Sequence, residues 1–427
     1  MLGVLIIASR VENGRRTPPG ETAMTPRSTA KPRFPRLAAF ALGAMAALGA
    51  ASAAQADARF DAFVARLKPE AMRAGVSAAT FDRAFKGLTV DSEAITKSTV
   101  QLEFKQSLAQ YIDTQVSDTR IANGLQNYRQ WGDLLARLER SYGVDRYAIL
   151  AVWGMETNYG STMGGHNVIE ALATLACCQP KRPEFFRREL IAALQILQQG
   201  NVTPENMVGS WAGAMGQTQF MPTSFKAYAA DGDGDGRRDI WTSVPDALAS
   251  TASFLHKHGW QPGQTWGYEV QPPSGARPGS TLSLAQWQAA GVRRANGQPL
   301  PGGAARASLF MPAGPNGPAF LMLPNFRVIK RYNNADSYAL AVGHLSDRVR
   351  GGGPFITPWP NHDKPLDEPG RIELQTLLAR RGFDVGEPDG KIGTATRAAI
   401  ASFQRQQGLT ADGYAGVSLL RRLRTAR

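Results

Sequence analysis

From residue 57 to about 260, apolar residues recur at helical spacing. Phe60, Phe63, Val64 and Leu67 share one face. Leu134, Leu135, Leu138 and Tyr142 form another before Gly143, and Leu190, Leu194, Ile196 and Leu197 a third, ended by Gly200. The run Tyr147 to Trp153 predicts a further helix, with Gly160 as its stop. From Gly259 to about Asn325 the texture changes. Gly and Pro are dense, Trp266-Gly267-Tyr268-Glu269-Val270 alternates, and Phe320-Leu321-Met322-Leu323 is a continuous apolar run between Pro318 and Pro324. These features predict short strands in a small β-containing insertion. Helical spacing resumes at Ser337 to Val342, and Gly351-Gly352-Gly353-Pro354 to Pro365 reads as a linker. In the last sixty residues, Leu374, Leu377 and Leu378 share one helix, and Ala398, Ile400, Ala401 and Phe403 another. The turn Asp389-Gly390-Lys391-Ile392-Gly393 recurs there as Asp412-Gly413-Tyr414-Ala415-Gly416. Two such turns suit a binding module, and equally two helix entries.

The N-terminus changes this picture. Met24 to Ala56 carries Arg27, Lys31, Arg33 and Arg36, then the apolar run Leu37 to Leu48, and closes with Ala54-Gln55-Ala56. That is the three-part pattern of a cleavable secretory signal, with Met24 as the expected start. Its apolar run is too short, and too rich in Ala and Gly, to span a bilayer well. The whole 427-residue chain has net charge +13; removing residues 1–56, which hold seven Lys/Arg and two Asp/Glu, leaves 371 residues and +8. Two or three domains are expected at that length. A secreted basic protein suits an anionic polymer such as cell wall, nucleic acid or anionic lipid. No Cys follows the signal, so no lipid anchor is expected. Cys177 and Cys178 are adjacent and read as two small buried side chains rather than a redox pair.

Three stretches carry candidate chemistry. In Trp153-Gly154-Met155-Glu156-Thr157-Asn158-Tyr159-Gly160, Glu156 shares a helix face with Val152 and Trp153. A carboxyl against apolar side chains, near the negative pole of a helix, is biased toward its neutral form. A general acid at neutral pH needs that bias; at a frayed helix end the same Glu would simply be solvated. Ser210 to Pro222 mixes small residues with Ser210, Gln217, Gln219, Trp211 and Phe220. Sugars want such amides, hydroxyls and flat faces, and a tight helix crossing wants the same small residues. Asp231-Gly232-Asp233-Gly234-Asp235-Gly236-Arg237-Arg238-Asp239 places carboxylates at positions 1, 3, 5 and 9 with Gly at 6, as in an EF-hand calcium loop. Arg237 would lend its backbone carbonyl. Position 12 is Thr242 rather than Glu, and Asp246 is the available replacement. The oxygen-only donor set favours Ca2+, in a structural role, because nothing in the sequence ties the loop to a reacting bond. His256 and His258 lack a metal-site pattern and read as surface. A phosphate loop, a serine elbow and a nucleic-acid motif are all missing.

Together these stretches resemble the lytic murein transglycosylase B family from about Phe60 to Arg350. Trp153-Gly154-Met155-Glu156, Gly213-Ala214-Met215-Gly216 and Tyr332-Asn333-Asn334 carry the resemblance, with the acidic loop between the last two. Gly382-Phe383, Asp389-Gly390-Lys391-Ile392-Gly393, Ala401-Ser402-Phe403-Gln404 and Asp412-Gly413 resemble the three-helix peptidoglycan-binding domain. The implied architecture is mainly α (α+β): a lysozyme-like helical catalytic core with a small β-containing insertion, plus a small C-terminal three-helix domain. Its expected divisions are 1–56 for the extension and signal, 57–350 for the catalytic domain with its loop 231–246, 351–366 for the linker, and 367–427 for the wall-binding domain.

The resemblance implies cleavage between N-acetylmuramic acid and N-acetylglucosamine in the periplasm. It assigns Glu156 as catalytic acid and base. Ser210, Gln219, Tyr111, Tyr332, Asn333 and Tyr338 fall on substrate-contacting or active-site positions of the family. Lys181 and Arg182 match a basic pair associated with the acidic stem peptide. The family's calcium site falls on Asp231, Asp233, Asp235, Arg237, Asp239 and Asp246. Phe254 stands where a cleft tyrosine is expected. Ordinary glycosidases use two carboxylates, and the sequence around Glu156 shows no obvious second one. The expected reaction is therefore internal attack by the muramyl 6-hydroxyl, giving a 1,6-anhydro sugar. Hydrolysis by water and a non-catalytic wall-binding role are the alternatives. No organic cofactor, nucleic acid or membrane anchor is expected. Peptidoglycan is the expected partner of a monomer, along with other cell-wall enzymes.

Overall fold

A computed structural model describes residues 57–99, 107–179, 181–273, 275–314, 316–360, 363–409, 411 and 413–425. The predicted signal lies outside the described residues. The helical part comprises α1 (57–73), α2 (Ala78–Phe85), α3 (Ser92–Thr99), α4 (Leu108–Gln115), α5 (Asp118–Tyr142) and α6 (Arg146–Thr157). It continues with α7 (Val168–Cys178), α8 (Pro183–Gln198), α9 (Pro222–Tyr228) and α10 (Val244–Lys257). A two-residue antiparallel pair, β1 (His166–Asn167) with β2 (Val208–Gly209), interrupts them.

The helix starts follow local chemistry. Ser77, Ser107 and Ser117 each cap a helix through a side-chain oxygen, and α5 ends where Gly143 turns left-handed. Asp145 caps α6 by accepting from the backbone N–H groups of Tyr147 and Ala148. It also pairs with Arg350 from the end of the helical part. Helix α6 is buried almost all round, packing on α5, α10 and a later helix, α13 (Asp336–Val349). That explains its unbroken apolar run: it is the central helix of the bundle, not an amphipathic surface one.

Five short antiparallel strands make the insertion: β3 (Gly267–Gln271), β4 (Thr281–Ser283), β5 (Arg293–Arg294), β6 (Arg306–Phe310) and β7 (Ala319–Met322), in the order β4-β6-β7-β3-β5. Every residue of β7 is buried, as its continuous apolar run requires at the centre of a covered sheet. Helix α11 (Leu284–Ala289) closes the sheet's own small core around Leu284, Trp287, Val292 and Leu309. The chain returns to the bundle through α12 (Pro324–Tyr332) and α13 (Asp336–Val349).

Helices α14 (Glu368–Arg380), α15 (Thr394–Gln406) and α16 (Val417–Thr425) form a third core around Leu374, Leu378, Ile400, Phe403 and Leu420. Its two repeated turns are built alike. Gln375 accepts from the Gly390 N–H and Gln404 from the Gly413 N–H, and both glycines are left-handed. The Tyr414 hydroxyl donates to Asp113 on α4. Among the described residues, no helix is long and apolar enough to cross a membrane.

Three sequence expectations need correction. Cys177 and Cys178 are bonded to each other rather than separate, and both are only partly buried. The stop after α6 is not Gly160 but Asn158, at φ 47°, followed by Tyr159 at φ 60°. Asn is among the few side chains that tolerate this region. Finally, His258 is only partly exposed, its ring stacked 4.1 Å from that of Phe254.

Candidate active site

Glu156 occupies the last turn of α6. Its carboxyl Oε1 accepts a 2.6 Å hydrogen bond from the Tyr338 hydroxyl on α13. Burial pushes the carboxyl up from 4.5 to about 7, and the Tyr338 bond pulls the other way. Three elements each bring a tyrosine to this group. Tyr111 on α4, Tyr332 on α12 and Tyr338 on α13 are all held well above the ordinary phenol range, first by burial and next by the Glu156 charge. All three therefore keep their protons near neutral pH. Among the described residues, no second carboxylate bears on the Glu156 proton.

The motif around Glu156 is a packing device. A Cβ on Gly154 would lie 2.6 Å from the Tyr159 ring. That ring meets Trp153 edge to face at 5.6 Å, and its hydroxyl reaches the Arg120 carbonyl at 3.1 Å. A Cβ on Gly160 would lie 2.6 Å from Gln217 Oε1. Thr157, fully buried, donates to the Gln217 carbonyl at 3.0 Å and accepts from the Gly160 N–H. The glycines are there because two larger side chains must come close.

The small-residue stretch after β2 faces α6 through a compact loop rather than a helix crossing. Ser210 is buried, and its hydroxyl accepts from the Ala214 N–H at 3.0 Å, closing the turn. Gln219 adopts a left-handed backbone (φ 51°), and its amide donates to the carbonyls of Met163 and Gly216. Tyr332 donates to the Thr218 carbonyl at 2.8 Å, joining this loop to α12. Thr218 Oγ1 and Asn333 Oδ1 are buried with no hydrogen-bond partner among the described residues. Phe254 fills its cleft position by packing on Tyr332 at 4.6 Å and Phe220 at 5.7 Å. Lys181 and Arg182 lie apart, on an exposed turn before α8, with the Arg182 guanidinium 4.3 Å from the Phe185 ring. Among the described residues, no hydrogen bond or ion pair joins them to the Glu156 cluster.

The acidic loop only partly follows the expected ligand set. Oxygens of Asp231, Asp233 and Asp246 gather within 4.8 Å of one another. Asp246 is fully buried and also accepts from the N–H groups of Gly232 and Asp239. Burial and the charges of Asp233 and Asp231 raise its proton affinity. Asp235 turns to Arg237 instead, at 2.8 Å, and Asp239 accepts from Trp241 N–H, Thr242 N–H and the Thr242 hydroxyl. Three crowded carboxylates with hard oxygens suit a divalent cation such as Ca2+.

The loop is not isolated from Glu156. Gln217 donates from its backbone N–H to the Ile240 carbonyl at 2.8 Å, and from Nε2 to the Trp241 carbonyl at 3.1 Å. Its Oε1 accepts from Trp153 Nε1 at 3.0 Å. One buried amide therefore joins the end of the acidic loop to α6. Sequence reading recognised Gln217 only as one polar group among several; the paired glycines at 154 and 160 were the available clue.

A model of the transglycosylase SLT domain matches residues 59–347, and one of the putative peptidoglycan binding domain matches residues 367–423. The membrane-bound lytic murein transglycosylase B of Escherichia coli is 37% identical over 238 residues, covering 55% of this chain and 65% of that protein. SltB3 of Pseudomonas aeruginosa, solved with NAG-anhNAM-pentapeptide, is 48% identical, with TM-score 0.69 over 86% of this chain and 99% of its own. The E. coli lytic transglycosylase Slt35, solved with calcium, is 30% identical, with TM-score 0.58 over 69% of this chain and 93% of its own.

Proposed function

We infer the reaction from one premise: the chain belongs to the transglycosylase SLT domain family, and it is a lytic transglycosylase that acts on peptidoglycan. Glu156 carries the chemistry, cleaving the β-1,4 bond from N-acetylmuramic acid to N-acetylglucosamine. The observation behind this reading is a single carboxyl raised to about 7 among neutral tyrosines. Near neutral pH a large fraction of it is protonated, so it can donate to the leaving glycosidic oxygen as the bond to the anomeric carbon breaks. Positive charge then develops at that carbon. The ring of phenol dipoles and the substrate's own N-acetyl group support it in place of a second carboxylate.

Glu156, now ionised, takes the proton of the muramyl 6-hydroxyl, whose oxygen bonds to the anomeric carbon. The attacking group is already tethered, so no water is consumed. A relative bound to an anhydro-muramyl fragment supports this outcome. Tyr338 orients the Glu156 carboxyl; Ser210 and Gln219 hold the loop beside it, and Asn333, next to Tyr332, faces the substrate. Lys181 and Arg182, exposed, receive the acidic stem peptide.

The family's calcium site falls to Asp231, Asp233 and Asp246. A cation there neutralises three crowded carboxylates and stiffens the loop. The module at 367–427 holds the enzyme on its insoluble substrate, and the signal in 24–56 directs export to the periplasm. Mass spectrometry of products from purified sacculi tests the reading. The anhydro product is one water lighter than the hydrolytic one, and a reducing muramyl end would overturn internal attack.

A further inference from the structure

Gln217 touches no reacting atom in the scheme above, yet it is 5% exposed and makes four hydrogen bonds. Two come from its backbone and would survive most substitutions. The other two need a group that accepts on one side and donates on the other. An indole N–H can only donate and a backbone carbonyl can only accept, so the orientation of the amide is chemically forced. Asp or a hydrophobic residue could serve at most one of these partners. The geometry at Gly160 shows the same demand from the other side, because only a residue without a Cβ leaves room for Gln217 Oε1.

What Gln217 holds is Trp153, three residues before Glu156 and on the same face of α6. The indole is 3% exposed, and Tyr159 braces its ring. We propose that Gln217 is a positioning residue for the transglycosylase reaction: its side-chain amide fixes the Trp153 indole so that the Glu156 carboxyl stays shielded from water. The proposal rests on the assignment of Glu156 as the acid and base. Losing the amide leaves a buried indole N–H without an acceptor. The indole then moves to find one, and water enters beside α6. A better solvated carboxyl gives up its proton more easily.

The test uses the full chain and a soluble glycan of two disaccharide-peptide units, following kcat across pH 4 to 9. In Gln217→Ala the alkaline limb of the profile moves about one unit to lower pH, a tenfold change in proton affinity. Trp153→Phe removes the same hydrogen bond from the opposite side. It gives a shift in the same direction even if Gln217→Ala fails to fold. The double variant shifts no further than the larger single one, because both remove one interaction. A merely structural role would lower the amount of folded enzyme equally at every pH and leave the limb in place. An unmoved limb in either folded variant, or additive shifts, overturns the proposal. Glu156→Gln is the control: if it turns over substrate, the assignment of Glu156 falls, whereas an inactive Glu156→Gln with an unmoved limb in Gln217→Ala removes only Gln217.

Discussion

Replacing Glu156 by Gln separates chemistry from stability in one variant. The amide keeps the shape of the carboxyl, and its oxygen can still accept from Tyr338, but it cannot ionise. Turnover falls by at least the 10²- to 10⁴-fold typical of general acid–base groups. Stability moves the other way. The folded carboxyl titrates at about 7 against 4.5 when free, so the folded protein binds the proton more tightly than the unfolded chain. Stability from this group is complete below pH 4.5 and is lost as pH rises through 7. The full difference is worth roughly 3 kcal/mol, an upper figure because part of the Glu156 surface stays accessible. At pH 8 the variant is therefore more stable than the parent by up to that amount, at most about 5 °C in Tm. At pH 4, where both side chains are neutral, the two coincide. Thermal unfolding at both pH values, followed by far-ultraviolet circular dichroism, checks this. A variant whose Tm differs from the parent equally at pH 4 and pH 8 refutes the reasoning, because desolvation of an ionisable group would then not be what perturbs Glu156.

Tyr338→Phe removes the one hydrogen bond that lowers the Glu156 proton affinity, so the alkaline limb of the kcat profile should move to higher pH; a downward move contradicts the assignment. Asp246→Ala leaves the Gly232 and Asp239 N–H groups without their acceptor. It should cost roughly 2 to 4 kcal/mol and abolish the Tm gain that added Ca2+ produces in the chelated parent, read by calorimetry. Gly154→Ala drives a methyl to 2.6 Å from the Tyr159 ring and should cost roughly 1 to 3 kcal/mol in urea unfolding. Ending the chain in the linker, after residue 360, removes the separate core around Leu374 and Phe403. It should leave cleavage of soluble glycan intact while pelleting with sacculi is lost.

Much of the architecture was legible because it follows local periodicity. The faces at Phe60, Leu134 and Leu190 and the covered strand at Phe320 all appear where apolar spacing put them. Glu156 stood out because a carboxylate at the end of a wholly apolar helix is costly unless used. The acidic loop stood out by spacing alone. What sequence reading missed involved partners distant in the chain. Nothing near Asn158 marks its left-handed backbone, which depends on where α6 stops against its neighbours. Asp235 and Asp239 share the loop's spacing with Asp231, yet their carboxylates turn to Arg237 and Thr242.

The sequence by itself determined the elements, their order and the identity of the one carboxyl worth following, because side-chain period and residue type act over a few residues. Only the tertiary structure decided what that carboxyl is. Its proton affinity comes from burial beneath α4, α12 and α13, whose tyrosines lie up to 182 residues away. Trp153, one turn before it on α6, is held by Gln217, 64 residues further along the chain. Desolvation and buried hydrogen bonding are properties of a packed neighbourhood, and no local pattern encodes which neighbours arrive.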